Sequence, residues 1–324
     1  MGGHSASVGF RGVAAKLAPH WHSLADLEAA GLLISTRESL AEFGFEGAHV
    51  CQGCPEQLAL DAARSALNDA ALEPYEIDAV IWASARAENH LVGGHLPTSS
   101  RTSDVLAGFR YGAAWLQEVL DLRNAVVMAV AQQGCSTMIS ALRLARSLIL
   151  AEPDRCRHVL CVGMDVLPAG ATREILYNVI SDGACAVVAS LNCPTDAWLG
   201  CHQISRGYLW DTPACDAEIL AAYFPVAREL ILQLLTSHEL SPEAVDVVVP
   251  TAVNPSSWEL LLRLVGIPQD RLCQRNWAFG HTMTSDSFVF LEAMRRSASI
   301  PRGSRLLLFT YGFGSSWSGV LLEH

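Results

Sequence analysis

Short runs that are apolar at consecutive positions, not at alternate ones, are what most limits the fold of this 324-residue chain. Ala79–Ser84, Ala125–Ala131, Arg157–Gly163 and Ala184–Ser190 are such runs, and Val245–Pro250 and Arg305–Tyr311 follow later. A strand with one wet face alternates polar and apolar residues, whereas a continuous run needs cover on both faces. Between the runs lie stretches with apolar residues at helical spacing: 57–72, Ser136–Leu150, Ala217–Leu235, Ser256–Val265 and Ser285–Arg296. This alternation predicts an α/β protein with largely parallel-type strands buried beneath helices. Gly200–Gly207 and Asp270–Arg275 predict further strands, and Trp317–Glu323 closes the chain. The same order of elements occurs twice, which predicts two halves, 1–192 and 193–324. A duplicated α/β layer pair brings the carboxyl ends of two sheets and several helix N-termini to one central site.

Composition excludes several function classes. Apolar residues make up 51% of the chain and charged residues 17%, so it is not a disordered segment. Its net charge of 22 − 33 = −11 gives it no basic face for nucleic acid. The mean hydropathy of +0.26 is high, yet runs such as Ala125–Ala131 and Leu306–Thr310 fall far short of about 18 residues, so no membrane span is expected. The opening residues show no secretory pattern, which predicts a cytoplasmic location and reduced cysteines. Cys161 and Cys185 lie inside apolar runs, as small hydrophobes do. His49, Cys51 and Cys54 lack the second ligand pair of a zinc site, so no metal is expected.

Three segments have the residue types of a reactive site. In Gln132-Gln133-Gly134-Cys135-Ser136, a glycine turn joins a buried strand to an apolar helix and sets Cys135 at the helix N-terminus. The orphan N–H groups and dipole there favour a thiolate, as a nucleophile requires. A buried cysteine capping a turn is the plainer reading. His281 and Asp286 are five residues apart and share no face of a continuous helix. They meet if His281 lies in the Gly280 turn and the helix starts at Thr284 or Ser285, with Asp286 ionised in its first turn. A carboxylate so placed would orient an imidazole and stabilise its charged form. A helix cap beside a surface histidine is the alternative. Tyr311-Gly312-Phe313-Gly314-Ser315-Ser316-Trp317 joins two strands, either as an ordinary hairpin or as a source of an oxyanion-binding N–H.

From about Leu58 onward, ordered segments resemble ketoacyl-ACP synthase III of the thiolase superfamily. LALDAARSAL, IDAVIWAS and QQGCS are followed by DGACAVVAS, which is similar to GDGAGAVVL. VVPTAVN is similar to the family's PHQAN segment, FGHT to YGNT, and GFGSSWSGVLL to GGGLTWGAVLL. The first fifty residues match poorly. The resemblance implies a thiolase-like, duplicated five-layer αβαβα architecture, a homodimer, and no cofactor.

The departures from that pattern bear on function. The family's catalytic histidine falls on Thr251 and its catalytic asparagine on His281. That pair stabilises the malonyl enolate in decarboxylative condensation, and this chain lacks it. Cys135, His281 and Asp286 instead resemble a subgroup of antibiotic-pathway acyltransferases with a Cys-His-Asp triad. The resemblance implies transfer of an acyl group from an acyl carrier protein, or from CoA, through acyl-Cys135. The acceptor would be a small-molecule hydroxyl or amine, or a carrier thiol. Backbone N–H groups of Cys135 and Gly314 would hold the oxyanion, and Thr251 and Asn254 would line the acceptor side. Ser256 stands where the family has a CoA-binding arginine, and its adenine-stacking tryptophan has no clear counterpart, which favours a carrier-protein donor. Arg143, Arg146 and Arg157 are either a docking patch for that carrier or solvated arginines. The other readings are a starter-unit synthase that still forms C–C bonds and a non-catalytic subunit of a heterodimeric synthase.

Overall fold

A computed structural model describes residues 6–86, 111–273, 278–313 and 315–324. The chain runs β1 (Val8–Leu17), β2 (His20–Ser23), α1 (Leu24–Ala29), α2 (Arg37–Glu42), β3 (Gly47–Val50), α3 (Pro55–Ala70) and β4 (Ala79–Ala83). It continues through α4 (Gly112–Val119), β5 (Val126–Val130), α5 (Thr137–Ala151), β6 (His158–Asp165), β7 (Glu174–Ile175), β8 (Asn178–Val179) and β9 (Gly183–Leu191). After β10 (Ala197–Ser205) come α6 (Asp216–Thr236), β11 (Val247–Val249), α7 (Pro255–Val265), α8 (Asp286–Arg296), β12 (Arg305–Gly312) and β13 (Ser316–Glu323).

Nine strands hydrogen-bond in the order β11-β12-β13-β10-β1-β9-β6-β4-β5. The join between β10 and β1 is thin, with Gly9 opposite Ala197, and it separates two sets of strands. Each set is built alike. In the first, α3, α4 and α5 separate β1, β4, β5 and β6; in the second, α6, α7 and α8 follow β10, β11 and a bridge at Leu272 before β12.

The apolar runs divide their side chains between two cores. On β4, Ala79, Ile81 and Ala83 point into a core with Met138 and Leu142 of α5 and Phe288 and Leu291 of α8. Leu306 and Leu308 of β12 reach that same core from the other strand set. Val80 points the opposite way, toward Ala59, Ala63 and Leu67 of α3. Leu307 and Phe309 likewise face Leu230 and Leu234 of α6 and Trp258 of α7. Layers of helix, sheet, helix pair, sheet and helix result, and this is why both faces of each strand are apolar. Burial of each such Leu or Phe contributes about 1.5–3 kcal/mol.

The structure corrects some strand expectations. Strands of the parallel type are only part of the sheet: β4 is parallel to β5 and β6, and β11 to β12. The pairs β6·β9, β9·β1, β10·β13 and β12·β13 are antiparallel. A strand covered on both faces reads the same in either direction, so sequence does not separate them. Asp270–Arg275 forms no regular strand among its described residues; a 3₁₀ turn at Gln269–Arg271 precedes one bridge from Leu272 to Val248, and 274–277 lie outside the described residues. β1 is not read from the sequence, where Gly9, Arg11 and Gly12 interrupt its apolar residues. A Cβ at Gly12 would strike Ala66 and Ala70 of α3, so the small residue is required by packing.

One described helix, α6, is long and apolar enough to cross a membrane by length and composition. It lies on the sheet and buries Leu230, Ile231, Leu234 and Leu235. This helix is missed by a search for uninterrupted apolar runs, because Arg228 and Glu229 divide it.

Candidate active site

Cys135 sits in a 3₁₀ turn, Gly134–Ser136, between edge strand β5 and the N-terminus of α5. Gly134 has φ +51°, and a Cβ there would collide with the backbone of Phe313. The turn is thus pressed against the loop between β12 and β13. Thr137 Oγ1 donates to Gly134 O at 2.6 Å and Ser136 Oγ to Ser316 O at 2.9 Å, which secures the elbow from both sides.

His281 is brought to Cys135 by tertiary structure. Gly280 has φ +82°, and a Cβ there would lie 2.7 Å from Val179 O. The His281 N–H donates to that same carbonyl at 2.7 Å, and the Ser181 N–H donates to His281 O at 2.9 Å. The ring is therefore anchored on β8 and the residues after it. A second short turn, Met283–Ser285, leads into α8, where Asp286 is the first residue.

The three side chains form one buried chain of contacts. Cys135 Sγ and His281 Nε2 are 3.2 Å apart, and His281 Nδ1 bonds Asp286 Oδ2. Asp286 Oδ2 also accepts from the Ala252 N–H at 2.6 Å. Its Oδ1 accepts from the Thr282 N–H at 2.5 Å and the Thr282 hydroxyl at 2.6 Å. Four donors and the helix N-terminus stabilise the carboxylate in a site with no solvent exposure. Burial disfavours the His281 imidazolium, but the charges of Asp286 and Cys135 and the hydrogen bonds from both outweigh it. The pKa of His281 is held well above its ordinary value.

Cys135, His281, Thr251 and Asn254 line one cavity of about 500 Å³, with Asp286 behind His281. Asn254 has a second task, since its side chain caps α7 by accepting from the Ser256 N–H at 2.9 Å. Gly314 lies outside the described residues; in the same loop, Phe313 lies against Gly134 through its backbone. Arg143, Arg146 and Arg157 do not line the cavity. Arg157 precedes β6, and the site is at that strand's other end. Among the described residues no group of His, Cys, Asp or Glu is arranged to hold a metal. His49 Nδ1 bonds Ala18 O, and the Cys51 thiol is pushed up to about 11 by burial and by Asp182.

Two supports escape sequence reading. Asp165, at the carboxyl end of β6, accepts from Ser84, Ala85 and both the N–H and hydroxyl of Thr284. It ties the turn after His281 to the first strand set. Asp182 pairs with Arg173 in the interior and accepts from the Cys51 and Leu167 N–H groups. Asp165 ends one buried strand and Asp182 immediately precedes another, the one local signal that marks them. The aromatic lining of the cavity, drawn from four separate segments, has no such signal.

A sequence profile described as 3-oxoacyl-[acyl-carrier-protein (ACP)] synthase III C terminal matches residues 235–324. A β-ketoacyl-[acyl-carrier-protein] synthase III of Coxiella burnetii is 24% identical over 323 residues, spanning 93% of this chain and 94% of its own length. The crystal structure of 3-oxoacyl-[acyl-carrier-protein] synthase III from Aquifex aeolicus superposes with a TM-score of 0.81 at 21% identity, covering 98% of this chain and all of the other. An acyltransferase designated ChlB3 superposes with a TM-score of 0.80 at 18% identity, covering 98% of this chain and 97% of its own.

Proposed function

We propose that this chain, which is similar to ketoacyl-ACP synthase III proteins and shares their fold, is an acyltransferase of secondary metabolism. It moves an acyl group from a carrier-protein thioester, or from CoA, through acyl-Cys135 to a hydroxyl, amine or carrier thiol. The observation that carries this reading is the single base: His281 touches Cys135 and Asp286, while Thr251 holds the position of the family's second catalytic group. A hydroxyl is no base near neutral pH, so the site has a base and nucleophile but no pair of enolate donors.

The proton follows from the raised His281 pKa. The raised pKa favours the imidazolium form of His281, and the form of Cys135 that attacks is the thiolate. The thiolate attacks the thioester carbonyl, and the oxyanion is held by the Cys135 N–H and a second N–H from the loop at Phe313 and Gly314. The C–S bond to the carrier breaks, and the departing thiolate takes the Nε2 proton. Acylation removes the Cys135 contribution that, together with Asp286, raised the His281 pKa, which shifts His281 toward the neutral form when a base is needed. It accepts the acceptor's proton as the new acyl bond forms, and Cys135 leaves as thiolate. The ion pair is restored and no atom is left over.

The reading extends to location and assembly. The protein acts in the cytoplasm, with its halves divided near residue 192, as a homodimer. Supporting the dimer, β5 ends the sheet with Val126 63% exposed and Val127 36% exposed, an apolar edge that a second copy would cover. Light scattering at micromolar concentration is expected to give a dimer, and Val126→Asp a monomer; a monomeric parent protein would remove this claim.

The test of function is product analysis with acyl-carrier protein, a hydroxyl or amine acceptor, and separately a malonyl-carrier protein. Acyl ester or amide without CO₂ is expected. Malonyl-dependent CO₂ release with a new C–C bond, lost on His281→Ala, would establish the condensing reading instead.

A further inference from the structure

Six aromatic side chains line the cavity that holds Cys135: Phe43, Tyr177, Tyr223, Phe224, Tyr311 and Phe313. Four of them form one continuous edge-to-face row. Phe224 and Tyr223 have ring centroids 5.0 Å apart, Tyr223 and Tyr311 5.6 Å, and Tyr311 and Phe313 5.9 Å, with interplanar angles of 85°, 85° and 81°. Phe43 and Tyr177 make a further edge-to-face pair at 6.1 Å. The row shares one cavity with Cys135, and burial first and the nearby Cys135 charge next push the Tyr311 hydroxyl up. Phe313 also stands where the similar segment GGGLTWG has glycine, so this ring is one of the chain's departures from that pattern.

We infer that the acyl group carried on Cys135 is an aryl group, with its ring attached at or next to the thioester carbonyl. This rests on the acyl-Cys135 reading above and specifies its substrate. Perpendicular rings at these spacings leave ring faces and edges for another ring to meet in the geometry aromatic pairs prefer. Each such contact favours a ring over an aliphatic group of equal area by about two- to tenfold. A flexible alkyl chain loses rotamer freedom in the same walls and gains no such contact. Tyr311 and Phe313 line the cavity together with Cys135, which sets this preference beside the acyl thioester.

The test uses N-acetylcysteamine thioesters of benzoate, octanoate and acetate, with the mass added to Cys135 read over time. Benzoyl loading is expected to exceed octanoyl loading by about tenfold or more in kcat/KM. Phe313→Leu and Tyr223→Leu keep apolar bulk while removing a ring, and each is expected to lower the benzoyl-to-octanoyl ratio several-fold. The ratio is read on the folded fraction, checked by circular dichroism. Octanoyl loading equal to or faster than benzoyl loading overturns the inference and leaves acyl-Cys135 standing. A ratio unchanged in both variants also overturns it. Absence of an adduct from all three thioesters overturns the acyl-Cys135 reading together with this one.

Discussion

Cys135→Ala is expected to abolish acyl transfer, with a loss of about 10³-fold or more and no mass added to the protein by any thioester donor. Alanine keeps the elbow, since Gly134 and the bonds from Ser136 and Thr137 hold it independently of the thiol. It removes the atom that bonds the acyl carbon, and it leaves His281 Nε2 without its sulfur partner. Intact-protein mass spectrometry and a product assay check the two statements separately. Turnover near that of the parent would make Cys135 a structural residue.

His281→Ala is expected to slow transfer to the acceptor strongly and self-acylation less, because the α5 N-terminus itself favours the thiolate. Asp286→Asn acts through the ring. Both Asp286 oxygens only accept hydrogen bonds, from Thr282, Ala252 and His281. An amide has one accepting and one donating end, so it sets an NH₂ against N–H donors or reverses the imidazole tautomer. The expected loss is on the order of 10³–10⁴-fold. The pH dependence has a definite sign. The imidazolium speeds self-acylation by protonating the departing thiolate, so the rate falls as pH rises through the raised His281 pKa. Asp286→Asn removes a charge that raises this pKa and leaves the burial that lowers it, so the alkaline limb moves to lower pH. Transfer from acyl-Cys135 needs neutral His281 and rises with pH instead. Pre-steady-state mass spectrometry across pH separates the two steps. An alkaline limb unmoved by Asp286→Asn would show that Asp286 does not set the charge of His281. Thr251→Ala is expected to change the rate far less than either.

Much of the architecture is legible in local chemistry. Runs such as IDAVIWAS and DGACAVVAS demand cover on both faces, and the helical stretches between them supply it. The five helices read from spacing come within a few residues of α3, α5, α6, α7 and α8, with local starts at Pro55 and Pro255 and a stop at Gly266, while α1, α2 and α4 are not read. Strand direction was not legible, since burial on both faces erases the alternation that would distinguish parallel from antiparallel neighbours. Nor was β1, whose small residues are chosen by the close approach of α3 and not by strand propensity.

The candidate site residues divide in the same way. Gly134 beside Cys135, and Gly280 beside His281, are local backbone requirements that a reader of the chain can see. The contact between Cys135 and His281 spans 146 residues and exists only because Val179 of β8 and Ser181 hold the His281 backbone beside the N-terminus of α5. Five residues separate His281 from Asp286, too few for one helix face, and only the turn at Met283–Ser285 lets them bond. The aromatic row was invisible for a stronger reason. Its rings come from α6, β12 and the loop that follows, and no spacing along the chain relates them. Local chemistry thus dictates which residues suit each element, while the chemical environment of each is set by surfaces that meet only after long-range packing.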